Sequence, residues 1–166
     1  MEDPAKYQIR TAQKDDTDWI VARHAALYRD SDGFDESFEV FVRRVVDAYF
    51  ADENPDRERG WIAERGGHPI GSIFCDATDD ADTARLRLFF LETHARGMGL
   101  GGKLLDECLG FAKRVGYKRM VLWTHESHVS ACALYEKRGF KKGKTQTTRS
   151  FGAEMVEVDY ALQLTQ

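Results

Sequence analysis

The sequence contains few cysteines. Cys75, Cys108 and Cys132 are the 3 cysteines in 166 residues. Their odd number and wide separation exclude a disulfide framework and a cysteine-based zinc site as the basis of the fold. We therefore expect three reduced thiols that pack as small apolar residues, which is typical of a cytoplasmic protein.

The sequence also lacks long apolar runs and an excess of positive charge. No run approaches the roughly 20 apolar residues of a membrane-spanning helix, and residues 1–4 do not resemble the start of a signal peptide. Lysine and arginine total 24 against 28 aspartates and glutamates, for a net charge of −4. The basic surface of a typical nucleic-acid-binding protein is therefore absent. We expect neither a membrane nor a nucleic acid as partner.

What remains is the composition of an ordinary globular chain, 42% apolar and 31% charged. No internal repeat or linker divides it, so residues 1–166 are predicted to form a single domain. Helical periodicity follows Thr17 up to a break at Asp30–Gly33, and a second helix is predicted from Ser37. A hairpin turns at Gly66, and a polar loop covers 76–82. Later segments complete the order β-α-α-β-β-β-α-β-α-β-β, with Ser130 predicted to cap the last helix.

The most informative stretch runs from Arg85 to Lys103. It begins as a largely apolar strand, passes through a polar loop and a glycine-rich turn, and continues with leucines at helical spacing. The glycines of this turn are Gly97, Gly99, Gly101 and Gly102. Glycines let backbone amides approach a ligand closely, and a helix start offers unpaired N–H groups and a positive dipole end. This pattern predicts a site for a phosphate or pyrophosphate.

Two classes of ligand could bind such a turn. A third interpretation is a plain strand–turn–helix whose glycines are coincidental. Gly97-x-Gly99-x-x-Gly102 satisfies the dinucleotide-binding pattern, but that pattern alone is weak. A dinucleotide site also needs the first βα unit of a domain and an acidic residue ending the next strand. Here more than half of the chain precedes the turn, and the strand at 118–124 meets no acid before Glu126. The dinucleotide interpretation is therefore disfavoured.

The segment Arg96-x-x-Gly99-x-Gly101 resembles the pyrophosphate loop of the GNAT N-acetyltransferases. A second segment, from Ala131 to Phe140, is similar to the family's Ala-x-x-Leu-Tyr-Glu-Lys-x-Gly-Phe. The resemblance implies an α/β (α+β) GNAT acyl-CoA N-acyltransferase fold. Such a fold has a mixed central sheet of about six to seven strands flanked by about four helices.

Further segments look like the acetyltransferase half of bacterial proteins that fuse a MarR-type regulator to a GNAT domain. These segments are residues 19–24, 61–64, 122–124 and 150–152. The 166 residues contain no winged-helix half. We therefore do not expect the DNA-binding role of those fusions.

The resemblance implies direct transfer of an acetyl group from acetyl-CoA to a primary amine. The amides of the glycine-rich turn would hold the pyrophosphate. The pantetheine arm would pair with the end of the central strand, where the next strand diverges in this fold. His128 stands where the family often has an asparagine that contacts the cofactor. The expected cofactor-binding residues are Phe90, Leu91, Arg96, Gly97, Met98, Gly99, Leu100, Gly101, Gly102 and His128.

Tyr135 is the residue predicted to be catalytic. A departing thiolate has a basicity near that of cysteine, with a pKa of about 8.5, and a phenol with a pKa near 10 can donate a proton to it. The alternative is a tyrosine of the hydrophobic core on an amphipathic helix.

No general base is identified. Glu64, Glu92, Glu126 and His24 are candidates, and water could also serve. The acceptor pocket is expected between the N-terminal helices and the last hairpin. His24, Tyr28 and Phe34 would line it, although aromatic residues on such helices are more often core. His125 and His128 have metal-ligand spacing, but no third ligand is evident, so no metal is expected.

The sequence thus favours an N-acetyltransferase acting on a small-molecule amine or a protein amine. A non-catalytic acyl-CoA-binding or regulatory domain of the same fold is the alternative. Exposed strands in this fold often pair, so a homodimer is also considered.

Overall fold

The computed structural model describes residues 6–164, so residues 1–4, on which the signal-peptide expectation rests, lie outside this range. The described chain forms one mixed sheet of seven strands with four α-helices, as expected. The elements are β1 (Gln8–Thr11), α1 (Thr17–Asp32), α2 (Glu36–Ala51), β2 (Arg59–Arg65), β3 (His68–Ala77), β4 (Thr83–Leu91), α3 (Leu100–Arg114), β5 (Arg119–His125), α4 (Val129–Lys137), β6 (Lys141–Ser150) and β7 (Ala153–Gln163).

The sheet has the spatial order β1-β2-β3-β4-β5-β7-β6. Among the described strands, β4 and β5 form the one parallel pair, and α3 connects them as a crossover helix. Their pairing covers three residues on each strand, Thr83–Arg85 against Arg119–Val121. Beyond Arg85 the two strands separate, so one edge of β4 from there to Leu91 has no neighbouring strand. The predicted divergence of these strands is confirmed.

The separated part of β4 contains a bulge. The β3–β4 register passes from Ser72 opposite Phe90 to Phe74 opposite Arg87, so β4 holds one extra residue. Leu88 has a φ of 52° there, a conformation that non-glycine residues rarely adopt. The Ser72 hydroxyl donates a hydrogen bond to the Leu88 carbonyl at 2.7 Å. The bulge therefore turns the backbone at the point where β4 loses its partner.

Each face of the sheet is covered by its own hydrophobic cluster. On one face α3 packs Leu104, Leu105 and Phe111 against the sheet. On the other face α1 and α2 contribute Ile20 and Val42. No helix of the described residues is long and apolar enough to cross a membrane.

Several helix boundaries differ from the predictions. Helix α1 continues to Asp32 and ends at Gly33, whose φ of 71° is the left-handed conformation of a C-terminal cap. Helix α2 begins at Glu36, since the Asp35 carboxylate accepts a hydrogen bond from the Ser37 backbone at 3.0 Å. Helix α4 begins at Val129, which places His128, and not Ser130, at the N-cap position.

Strands β3 and β4 are both longer than predicted. Strand β3 includes Asp76, which was predicted to lie in the polar loop, and β4 begins at Thr83 instead of Arg85. Cross-strand pairing extends to Ala77 opposite Ala84, and this pairing overrides the polar character of the segment.

Candidate functional site

The glycine turn, residues 96–99, leads directly into α3. Gly97 and Gly99 have φ values of 83° and 76°, which side-chain-bearing residues rarely adopt. An added Cβ at either position would have no atom within 4 Å, so conformation and not crowding requires glycine. Helix α3 starts at Leu100 without a side-chain cap hydrogen bond. Its first backbone N–H groups are therefore available to an anion.

The glycine turn forms one wall of a cleft of about 540 Å³, here called the β4 cleft. The unpaired end of β4, the glycine turn and the start of α4 surround it. Of the residues expected to bind a cofactor, those that line this cleft are Phe90, Leu91, Arg96, Gly97, Gly99, Leu100, Gly101 and His128. The cleft thus joins a phosphate-binding helix start to exposed strand backbone.

Two expected cofactor residues are not in the lining of the β4 cleft. Met98 packs against the α3-side core, and its sulfur accepts a hydrogen bond from the Arg65 guanidinium at 3.7 Å. Gly102 lies beside Arg138, whose Nη2 would be 2.7 Å from an added Cβ. Helical rotation explains the placement of Gly102, because consecutive residues of a helix face different directions.

A second, smaller cavity of about 120 Å³ lies between α1, α2, the sheet and the β6–β7 turn. His24, Tyr28 and Phe34 line it, as the sequence predicted. Sequence reasoning missed Phe151, which has a φ of 56° in the β6–β7 turn and lies 5.2 Å from the Phe34 ring. We call this space the aromatic cavity. Further lining side chains include Phe38, Phe41, Arg87, Trp123 and Thr124.

The β4 cleft and the aromatic cavity adjoin each other. Tyr28, Phe89 and His128 line both of them. A molecule in the cleft and a molecule in the cavity could therefore meet at these three side chains. Such an arrangement suits a transfer reaction between two bound reactants.

Tyr135 reaches the aromatic cavity from α4 and is only 4% exposed. Its ring packs against Phe89, Phe140 and Tyr160 at centroid distances of 6.0, 5.6 and 5.7 Å. Burial raises the pKa of its hydroxyl well above the usual value, so the hydroxyl keeps its proton near neutral pH. The side chain is part of the core and also faces the cavity.

His24 is a neutral imidazole at the aromatic cavity. Its Nδ1 lies 2.7 Å from the Ile20 carbonyl, which can only accept, so Nδ1 carries the proton. Burial lowers the pKa of His24 to about 4. Its Nε2 is buried and has no hydrogen-bond partner among the described residues. His24 therefore presents an unused imidazole lone pair to the cavity and is a weak base.

The acidic residues considered as bases have other contacts. Glu64 binds Arg10 at 3.1 Å, and Glu92 binds Arg23 through two contacts of 2.7 and 3.0 Å. Glu126 lines a separate surface pocket and not the aromatic cavity. None of these three carboxylates is among the described residues that line the aromatic cavity.

The structure places Asp32 beside the histidines of β5 and α4, an arrangement that sequence spacing could not show. Asp32, His125 and His128 have potential ligand atoms within 4.8 Å of one another. Asp32 is therefore the third potential metal ligand that the sequence did not reveal. However, His128 Nε2 and Asp32 Oδ2 are 2.8 Å apart. Two ligands of a tetrahedral zinc ion lie roughly 3.3 Å apart, so a shared proton explains this distance better than a shared metal. The absence of a metal stays a prediction.

The comparisons with known proteins agree with this geometry. A model described as the acetyltransferase (GNAT) family matches residues 21–140. A probable N-acetyltransferase of Mycobacterium tuberculosis is 27% identical over 168 residues, which cover 96% of this chain and 95% of that protein. An uncharacterized N-acetyltransferase of Methanocaldococcus jannaschii is 25% identical over 82% of this chain. The chain spans 61% of the length of this archaeal relative.

Solved structures share the fold over nearly the whole chain. An N-acetyltransferase from Staphylococcus aureus superposes with a TM-score of 0.80 at 22% identity, covering 96% of this chain and 99% of that chain. A Salmonella typhimurium protein solved with its cofactor acetyl-CoA gives a TM-score of 0.74 at 22% identity, covering 96% and 95%. These neighbours confirm the predicted GNAT fold. Since the family model also matches well over half of the residues, the chain belongs to the acetyltransferase (GNAT) family.

Proposed function

We propose that this protein is an N-acetyltransferase that moves the acetyl group of acetyl-CoA directly to a primary amine. The observation that carries the proposal is the meeting of the two cavities at Tyr28, Phe89 and His128. One cavity has the features of a coenzyme A site, and the other is an aromatic-lined space for an acceptor. The fold neighbour with acetyl-CoA in its structure supports this assignment.

The β4 cleft offers both kinds of contact that coenzyme A needs. The first turn of α3 and the glycine turn would hold the pyrophosphate, with backbone N–H groups and the helix dipole as the attraction. The unpaired edge of β4 near Phe90 and Leu91 would pair with the amide groups of the pantetheine arm. Bound in this way, acetyl-CoA supplies an activated acetyl group at the boundary between the two cavities. Arg96, Met98, Gly102 and His128 remain proposed contacts.

Direct transfer agrees with the side chains of the two cavities. Cys75 and Cys108 are buried, and none of the described cysteines lines the β4 cleft or the aromatic cavity. A pathway through an acylated cysteine therefore has no thiol nucleophile at the boundary between the two cavities. We propose that Tyr135 donates the proton that the departing thiolate requires. Burial keeps its hydroxyl protonated, and the same rise in pKa makes it a weaker acid than a free phenol.

The lining of the aromatic cavity favours an amine carried on an apolar or aromatic body. Phe34, Phe38 and Phe151 form most of one wall, with ring centroids 4.9 to 5.2 Å apart. Their faces attract an ammonium group and cover apolar atoms. Phenethylamine combines a primary amine with an aromatic ring and is therefore a suitable first probe.

Three finer expectations accompany this proposal. Segments such as residues 122–124 support a relation to the acetyltransferase half of the MarR-type fusions. A homodimer is supported by β6, an edge strand exposed over residues 141–147. The reduced state expected of Cys75, Cys108 and Cys132 supports a cytoplasmic location.

The test combines calorimetry with acetyl-CoA and an assay of free thiol release with a panel of amines that includes phenethylamine. We expect binding of acetyl-CoA and thiol release that depends on the amine. Binding without turnover on any small amine or peptide lysine would favour the alternative, a non-catalytic acyl-CoA-binding domain. Failure to bind acetyl-CoA would contradict the proposal itself.

A further inference from the structure

His128 occupies the boundary between the two cavities in a fixed orientation. Its Nε2 is 2.8 Å from Asp32 Oδ2 on α1, although the two residues are far apart in sequence. The Ser127 hydroxyl donates to the other Asp32 oxygen at 3.3 Å. The Tyr28 ring lies 5.1 Å from the imidazole on one side, and the His125 ring lies 5.0 Å away on another. Packing and hydrogen bonds thus define where both ring nitrogens point.

The hydrogen bond to Asp32 fixes the tautomer of the neutral imidazole. A carboxylate can only accept, so Nε2 carries the proton and Nδ1 keeps its lone pair. Nδ1 lies 3.5 Å from the Thr124 hydroxyl. Asp32 lines the β4 cleft and Thr124 lines the aromatic cavity. The imidazole therefore spans the boundary, with its lone pair on the side of the aromatic cavity.

We propose that Asp32 and His128 form a general-base dyad, in which His128 Nδ1 removes the proton from the acceptor amine. The inference rests on the proposed function and names the base that sequence reasoning left open. Asp32 is a positioning residue, because it orients the imidazole and stabilises the imidazolium that forms without touching the amine. The acid–base roles are then divided between His128 and Tyr135.

The proton balance closes with these groups. The ammonium form of the acceptor first gives a proton to Nδ1 of His128, which passes it to water. The amine nitrogen then bonds to the acetyl carbon, the carbon–sulfur bond breaks, and nitrogen loses its second proton to His128 or water. The sulfur receives a proton from Tyr135 or solvent. Water takes the proton from His128 and reprotonates a Tyr135 that has donated, so both side chains return to their starting states.

The other ionisable groups around His128 offer no better base near neutral pH. Burial raises the pKa of Tyr28 to about 12, and burial together with His128 lowers the pKa of His125 to about 4. Both side chains are therefore neutral around pH 7. The charged groups are Asp32 and Arg96 in the β4 cleft lining and Arg87 in the aromatic cavity lining.

The kinetic test uses His128→Asn, with His68→Asn at the exposed first residue of β3 as the matched control. Asparagine can still hydrogen-bond but cannot accept a proton at this pH. We expect turnover of phenethylamine at pH 7 to fall at least about 100-fold, with acetyl-CoA affinity within about threefold of the wild type. The deficit should shrink towards pH 10, because the amine then loses its proton to solvent. Unchanged turnover and an unchanged pH profile in His128→Asn would overturn the assignment.

The dyad itself is tested by nitrogen NMR of the histidine side chains, which needs no acceptor. We expect His128 to carry its proton on Nε2 in the wild type and to lose this fixed tautomer in Asp32→Asn, because an amide can donate to the ring as well as accept from it. Asp30→Asn changes a residue of the same helix outside both cavity linings and should leave the tautomer unchanged. An Nδ1–H tautomer in the wild type, or the same tautomer in both variants, would contradict the dyad.

The two readouts separate the two proposals. A wild type that binds acetyl-CoA but acetylates no amine refutes the proposed function and the base role together, whereas the NMR result still decides whether Asp32 orients His128. Activity is measured both without and with EDTA. Activity that disappears with EDTA and returns with zinc would overturn the dyad in favour of a metal centre.

Discussion

At the scale of single residues, burial determines which titratable groups near the cavities can change charge. His24 and His125 have pKa values lowered to about 4, mainly by burial, so both are neutral over the physiological range. The buried hydroxyls of Tyr28 and Tyr135 keep their protons for the same reason.

The first prediction concerns Tyr135. Tyr135→Phe retains the ring that packs against Phe89 and Phe140 but removes the proton. We expect turnover to fall by at least about tenfold, since a positioned proton donor typically contributes roughly 10²–10⁴-fold and solvent replaces part of it. Acetyl-CoA affinity should change little. Steady-state kinetics and calorimetry on the same preparation distinguish the outcomes: full turnover would make Tyr135 a packing residue, as its contacts with the core also allow.

A second residue-scale prediction concerns Asp76. This side chain is 8% exposed, and its Oδ1 has no hydrogen-bond partner among the described residues. Burial raises its pKa to about 6, although Arg87 lies 3.5 Å from the other oxygen. Since the unfolded value is about 3.9, the folded state holds this proton more tightly. Stability should therefore fall as pH rises from about 4 to about 6, by up to about 3 kcal/mol.

Asp76→Asn should remove this loss of stability with rising pH. We expect the variant to gain stability relative to the wild type at pH 8 but not at pH 4, as measured by urea unfolding at both pH values. Asp79→Asn, in the exposed loop that follows β3, is the control and should show no such difference. A gain of equal size at both pH values would show that Asp76 does not titrate in this range.

At the scale of elements, two local backbone features create the β4 cleft. The short β4–β5 pairing exposes one edge of β4, and the glycine turn aims the start of α3 into the space that results. The Leu88 bulge, held by Ser72, lies between them. A strand interrupted in this way has backbone N–H and C=O groups without a partner in the sheet. These groups become available to a ligand.

The prediction at this scale is that Gly99→Asp abolishes acetyl-CoA binding in calorimetry. The substitution adds a side chain and a negative charge beside the proposed pyrophosphate site, at a backbone φ of 76°. Gly66→Asp is the matched control, because Gly66 in the β2–β3 turn has a φ of 58° and equally open surroundings. The control shares the backbone strain but lies outside the cleft. Equal affinity in both folded variants would refute the placement of the pyrophosphate.

At the scale of the whole molecule, the sheet forms a common support for both cavities. The aromatic cavity draws on α1, α2, the sheet and the β6–β7 turn, and the β4 cleft draws on α1, β4, α3 and α4. Ligands that occupy these spaces contact elements from both halves of the chain. Their binding should therefore stabilise the folded molecule as a unit.

We expect acetyl-CoA at about 100 times its dissociation constant to add about 2.7 kcal/mol of stability. For a chain of this size, that corresponds to a rise in Tm of about 5–10 °C. NAD and NADP should cause no rise, because the strand after the glycine turn lacks the acidic residue of a dinucleotide site. Differential scanning fluorimetry with the three ligands checks this directly. Stabilisation by a dinucleotide and not by acetyl-CoA would reverse the interpretation of the glycines.

The sequence by itself determined the features that arise from local patterns. The order of strands and helices follows from hydrophobic periodicity, and the position of the phosphate-binding turn follows from Gly97 and Gly99 beside a helical repeat. The family could be named from two short motifs, at Arg96–Gly101 and Ala131–Phe140. Local signals are sufficient here because backbone conformation at a glycine or a helix start depends on nearby residues.

Only the tertiary structure decided how distant side chains combine. Asp32 ends one helix and His128 precedes another, 96 residues later, and no spacing rule connects them. Phe151 joins the aromatic cavity through a turn whose position depends on the β6–β7 register. These contacts are set by how the sheet positions its helices, since packing brings together residues that are remote along the chain.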